Sequence, residues 1–181
     1  MKARARFCLQ CGARLSAVRD GHRIRRRCLR CGFTFYDNPV LASCAVVTRG
    51  GRVLLARRAH EPYAGLWDLP GGFLEAGETP ERALGRELRE ELDVKARRAR
   101  LVGFEPDHYG PGGFPTLTAI YRVDLVPGSI RCADDVSEVR WFAKAAIPFR
   151  SVAFLSMRRA LRKALRSTRK SLRARGRSSR L

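Results

Sequence analysis

Hydrophobic positions along the chain fall mostly in short runs of strand length. The clearest covers residues 40–47, where Val40, Leu41, Ala42, Cys44, Ala45, Val46 and Val47 are interrupted only by Ser43. Gly50 and Gly51 supply a turn and residues 52–56 resume the apolar pattern, so the pair predicts a β-hairpin. Residues 101–104, 116–126 and 136–142 predict further strands, with Gly110, Gly112 and Gly113 marking a loop between the first two. A Gly/Pro-rich passage fills 63–77. The period then changes: Thr79 suits a helix cap, Pro80 its first position, and Leu84, Leu88 and Leu92 recur on one helical face. A helix is predicted from 80 to about 92. Leu155, Ala160, Leu161 and Leu165 predict a second helix over 152–165. Strands interleaved with two helices indicate an α/β domain with a mixed sheet.

The first 36 residues break this pattern. Cys8-x-x-Cys11 and Cys28-x-x-Cys31 are matching pairs separated by sixteen residues. Such spacing lets four thiolates surround one tetrahedral ion, so Cys8, Cys11, Cys28 and Cys31 predict a structural Zn²⁺ site. A closed metal site stabilises a piece too small to bury a core of its own. Two disulfides would need an oxidising compartment. Cys44 reads as buried filler and Cys132 as a surface thiol.

The chain has 181 residues, 45% of them hydrophobic, enough for one domain and a small appendage. Its net charge of +20 is uneven. Residues 1–35 hold ten basic side chains against one acidic, residues 158–181 hold eleven against none, and the segment between is neutral. The basic ends predict either non-specific contact with phosphates or nucleic acid or a solvated charge run with no dedicated partner, and residues 166–181 read as a structureless basic tail. No apolar stretch is long enough to span a membrane, and the basic opening lacks an apolar run. A cytoplasmic protein without membrane contact is expected; nothing in the sequence sets its oligomeric state.

The chemistry concentrates in Gly71-Gly72-Phe73-Leu74-Glu75-Ala76-Gly77-Glu78 and the helix after it. Glu87, Glu90 and Glu91 stand at i, i+3 and i+4, hence on one face. Like charges about 4 Å apart repel by about 4 kcal/mol at an effective dielectric near 20. A hard divalent cation converts that repulsion into attraction, and oxygen-only ligands favour Mg²⁺ or Mn²⁺. The alternative is a solvated helix with Glu–Arg pairs.

The spacing of Gly72, Glu78, Arg86, Glu87, Glu90 and Glu91, after Trp67-Asp68-Leu69-Pro70-Gly71, closely resembles the signature box of the Nudix hydrolases. Asp93 departs from it, standing where the family usually has glycine. The resemblance implies a Nudix-type α/β/α sandwich over 38–165, after a small four-cysteine zinc ribbon over 1–36. It implies Mg²⁺-dependent hydrolysis of the diphosphate bond of a nucleoside diphosphate linked to another group. By the same resemblance Glu87, Glu90 and Glu91 hold the ion and one of them serves as base. Arg86 orients a glutamate, Glu78 supports the loop, and the Gly72 carbonyl is a further ligand. A distal carboxylate, Asp135 or Glu138, joins them. The ribbon followed by Tyr36-Asp37-Asn38-Pro39-Val40 is similar to the NADH pyrophosphatase branch. Residues 103–109 do not match that branch's aromatic-proline stretch, so ADP-ribose or another nucleotide sugar stays open beside NADH. Two further readings stand beside it: hydrolysis of capped RNA 5′ ends, and a nucleic-acid-binding or ligand-sensing module. Phe73, Trp67 and Tyr109 are candidate stacking residues for a base, with core packing as the alternative for each.

Overall fold

The computed structural model describes residues 5–175, with side chains as far as residue 165. It divides into two units, Met1–Pro39 and Val40–Leu181.

The first unit is an antiparallel sheet of β1 (Leu15–Asp20), β2 (Arg23–Cys28) and β3 (Thr34–Phe35), with β2 in the middle. The sequence showed no alternating apolar pattern here because the buried cluster is small. It consists of Cys8, Leu15 and Cys28, with Phe33 and Phe35 packed against it. The two cysteine turns fold alike. Gly12 N–H donates to the Cys8 carbonyl and Gly32 N–H to that of Cys28, while Cys8 and Cys28 N–H reach Ala13 and Phe33.

The second unit is a mixed sheet between two helices. Its strands are β4 (Val40–Arg49), β5 (Arg52–Arg58), β6 (Trp67–Asp68), β7 (Gly71–Phe73), β8 (Ala96–His108), β9 (Pro115–Leu125) and β10 (Val136–Ala143). The main order is β10-β5-β4-β9-β8, with β4 and β9 parallel. Strand alternation decides which helix each residue meets. Ala45, Val47, Leu54 and Ala56 pack against Leu84, Leu88 and Leu92 of α1 (Pro80–Leu92). Cys44, Val46, Val53 and Leu55 pack against Met157, Ala160, Leu161 and Ala164 of α2 (Leu155–Arg175). The expected α/β/α sandwich is observed.

The hairpin between β4 and β5 is paired only at its turn, Thr48 with Val53 and Arg49 with Arg52. Beyond that the strands part, and the Gly/Pro-rich passage enters between them: β6 pairs with β5 and β7 with β4. This split in the sheet becomes the cavity.

The ends of α1 follow from sequence. Thr79 Oγ1 accepts from Arg82 N–H at 3.4 Å, and Pro80 occupies the first turn. At the other end Asp93 is left-handed, φ 54°, with Asp93 and Val94 N–H closing on Arg89 and Leu88 carbonyls. α2 begins three residues later than 152, because Ala153 N–H is taken by the Trp67 carbonyl at 2.8 Å. Its backbone continues to Arg175, through residues 166–175 where a structureless tail was expected. Residues 176–181 lie outside the described residues. Among the described residues no helix is long and apolar enough to cross a membrane.

Candidate active site

Arg86 organises the carboxylates of α1. Its Nε and Nη2 grip the two oxygens of Glu78 at 3.0 Å each, and Nη2 also donates to the Phe73 carbonyl at 2.9 Å. Nη1 donates to Glu87 Oε1 at 2.8 Å and to Glu90 Oε2 at 2.9 Å. These five contacts match the five N–H groups of a guanidinium. Arg86 lowers the Glu78 carboxyl to about 2.

Glu91 is held differently. Its Oε2 accepts from Gly71 N–H at 2.9 Å, and only 9% of the residue is exposed. Burial, reinforced by Glu87, Asp68 and Asp135, pushes its carboxyl up to about 8 despite that hydrogen bond. Burial also raises Glu87, against the pull of Arg86. The backbone around them has no slack. Gly71 has φ 136°, and a Cβ there would lie 2.1 Å from the Ser43 carbonyl oxygen. A Cβ on Gly72 would lie 2.5 Å from Glu87 Oε1.

Glu87 and Glu91 line a cavity of about 300 Å³ with Gly72 and Asp135. Four of the sequence-predicted residues therefore meet in one space. Glu90 and Glu78 are tied to it through Arg86, and the side chain of Glu90 is 47% exposed. Glu138 is elsewhere, paired with Arg57 and Arg140. Of the three candidate stacking residues, Tyr109 and Phe73 line the cavity. Trp67 does not: it is buried edge-on against Phe142, with centroids 4.9 Å apart.

Sequence reasoning missed Arg58, Asp68 and Phe154, which also line the cavity. Arg58 lies over the rings of Tyr109 and Phe154, 5.8 and 5.3 Å from their centroids. It donates to Tyr109 Oη at 3.2 Å and to Asp68 Oδ2 at 3.3 Å. Burial pushes the Asp68 carboxyl up to about 6, against the opposing influence of Arg58. The signal that could have found them is the register of β6 on β5, which sets Asp68 against Ala56. The cavity thus combines a crowded acidic edge, a half-buried guanidinium and aromatic rings. That donor set fits a hard divalent cation: carboxylates raised by burial and by one another are what such an ion relieves.

Residues 38–164 match the NUDIX domain family. The chain belongs to the Nudix family. An ADP-ribose pyrophosphatase of Methanocaldococcus jannaschii is 31% identical over 127 residues, 69% of this chain and 73% of that protein. The NAD-capped RNA hydrolase NudC of Pseudomonas aeruginosa is 33% identical over 145 residues, 79% of this chain, which spans about half (49%) of NudC's own length. A crystal structure of a Nudix hydrolase from Nitrosomonas europaea superposes with a TM-score of 0.74 at 27% identity, over 90% of this chain and 91% of that one. In this Nudix chain the position after the box helix is Asp93, and the left-handed geometry is kept.

In the first unit the four sulfurs lie within 4.8 Å of one another. The 3.5 Å pairs run between the two turns, Cys8 to Cys31 and Cys11 to Cys28. A disulfide needs about 2.05 Å, whereas sulfurs around one tetrahedral ion at about 2.3 Å stand about 3.8 Å apart. The geometry fits the ion. Cys44 is buried, its thiol pushed up by burial, and Cys132 is exposed.

Proposed function

We propose that the chain hydrolyses the diphosphate bond of a nucleoside diphosphate joined to a second group, ADP-ribose and NADH being the class, with Mg²⁺ or Mn²⁺. The observation that carries this reading is the joint lining of one cavity by Glu87, Glu91, Arg58 and aromatic rings. It offers charge for a metal-bound diphosphate and π-faces for a base.

Glu87, Glu90, Glu91, the Gly72 carbonyl and Asp135 would hold the cation. When bound it would offset the charge of the diphosphate and lower the pKa of a water, supplying a hydroxide-like nucleophile for phosphorus. Arg86 is a positioning residue, fixing Glu87 and Glu90 relative to each other, and Glu78 anchors Arg86 in turn. One of the cation-holding glutamates would accept the proton of the attacking water through an oxygen that the cation does not take; Arg86 leaves Glu90 Oε1 without a hydrogen bond. The Arg58 guanidinium faces the leaving phosphate's charge, and Tyr109, Phe73 and Phe154 stack on the base. A nucleoside monophosphate and the phosphorylated second group are released. In the first unit Cys8, Cys11, Cys28 and Cys31 hold one structural Zn²⁺.

The test is turnover of ADP-ribose, NADH, other dinucleotides and nucleoside triphosphates with Mg²⁺ and with Mn²⁺. Cleavage within the diphosphate of at least one dinucleotide or ADP-sugar is expected; failure across the class removes the proposal. The likeness to NudC supports a second reading, in which the same bond is cut in capped RNA. Rates on free NADH and on NAD-capped RNA separate the two.

A further inference from the structure

The first unit carries a surface that this chemistry does not use. Alternation along β2 sets Arg23, Arg25 and Arg27 on one face of its sheet and Ile24, Arg26 and Cys28 on the other. The second face is the one that holds the buried cluster of Cys28, Leu15 and Cys8. On the arginine face Asp20 stands beside Arg23, Val18 beside Arg25 and Ser16 beside Arg27, with Thr34 across from Arg27 on β3. Arg25 Nε donates to Asp20 at 2.9 Å and Arg27 Nε to Thr34 Oγ1 at 3.0 Å. Each bond occupies the inner nitrogen and leaves both terminal nitrogens without hydrogen-bond partners among the described residues. The Arg25 guanidinium lies 4.5 Å from the centroid of the Tyr36 ring, which is 54% exposed.

Successive arginines are therefore two strand residues apart, about 6.6–6.8 Å. They form a regular ladder of forked donors beside an exposed ring. We propose that this face binds single-stranded nucleic acid, with Arg23, Arg25 and Arg27 on neighbouring phosphates and Tyr36 stacked on a base. The regular spacing suits a chain of phosphates better than the irregular carboxylates of an acidic protein. An anionic membrane surface would need several exposed apolar side chains beside the charges, whereas this face offers a partly buried Val18 and the Tyr36 ring, and Ile24, 67% exposed, lies on the opposite face. Binding here requires no turnover, so it stands or falls independently of the hydrolysis proposed above.

Fluorescence anisotropy of a labelled single-stranded RNA of about 16 nucleotides, titrated with the full chain between about 50 and 200 mM salt, tests this. The parent chain should bind with a steep salt dependence. Replacing the three arginines together (Arg23→Gln, Arg25→Gln, Arg27→Gln) should flatten the log–log slope by about 2, since each phosphate contact on a single strand contributes about 0.7. Tyr36→Ala should weaken binding about tenfold with the slope unchanged. Ser16→Glu, which sets a carboxylate beside Arg27 without removing an arginine, should weaken binding severalfold. Zinc content and thermal transition matching the parent establish that each variant is folded. The proposal is overturned if the triple variant keeps the parent's affinity and slope. It is equally overturned if binding is lost only on removing residues 166–181, or if phosphatidylserine vesicles bind and RNA does not.

Discussion

At the residue scale the site is governed by how many N–H groups one side chain can direct. Arg86 makes five hydrogen bonds to four acceptor residues, and lysine offers three donors at a single point. Arg86→Lys should therefore release Glu87 and Glu90 while keeping the charge, lowering kcat about 100-fold, the scale of an ångström-sized misplacement. Steady-state kinetics on the best dinucleotide checks this. Gly72→Ala should act similarly, because the new methyl displaces the Glu87 carboxylate. Asp93 is the opposite case, where the residue present is not the best one for its backbone. A left-handed L-residue costs about 1–2 kcal/mol, less for Asp, so Asp93→Gly should gain about 0.5 kcal/mol. Calorimetry should show the melting temperature rising by about 1–2 °C.

At the element scale, α2 is fastened to β8 by acids that reach it from the sheet. Glu105, with 4% of its side chain exposed, pairs with Arg159 at 2.8 Å and with Lys163, and Asp107 Oδ2 accepts from Ser156 N–H at 2.7 Å. Burial alone would raise the Glu105 carboxyl, but Lys163 and Arg159 outweigh it and the net shift is downward from 4.5. A carboxyl lowered in the folded state contributes stability above its unfolded value and loses it as pH falls through the folded value. Glu105→Gln should therefore cost about 1–2 kcal/mol at neutral pH, as its partners are solvent-screened. In denaturant titrations the gap to the parent should close below the ordinary carboxylate range. Nothing in the local sequence signals this fastening, because it joins residues 54 and 58 positions apart. β8 itself was legible only at 101–104. Its first half, with Arg97, Arg98 and Arg100, is an exposed edge that carries no buried face to pattern. The box helix was readable to its ends, since Thr79, Pro80 and the leucine stripe are local signals. Arg58 and Asp68 were not, because they meet through strand pairing.

At the scale of the whole molecule, two units rest on different physics. The second buries two apolar layers against one sheet, whereas the first buries little more than its cysteines. Metal analysis should give about one zinc per chain. A strong chelator should remove the first unit's folding transition and leave that of the second in place. Two matched cysteine pairs made this unit legible, yet its strands were not foreseen, because Arg26 interrupts the inner face of β2 and leaves only Ile24 and Cys28 as apolar positions on it.

On the proposed mechanism the acidic edge of α1 seats a hard cation against a diphosphate. Mg²⁺-dependent hydrolysis of ADP-ribose by the parent, Glu87→Gln and Glu91→Gln chains, with folding verified by their melting curves, tests it most directly. Losses of at least about 100-fold in kcat/KM for both variants are predicted, the scale expected when charge stabilisation in the transition state is removed. Folded variants that match the parent's rate and metal requirement would contradict it.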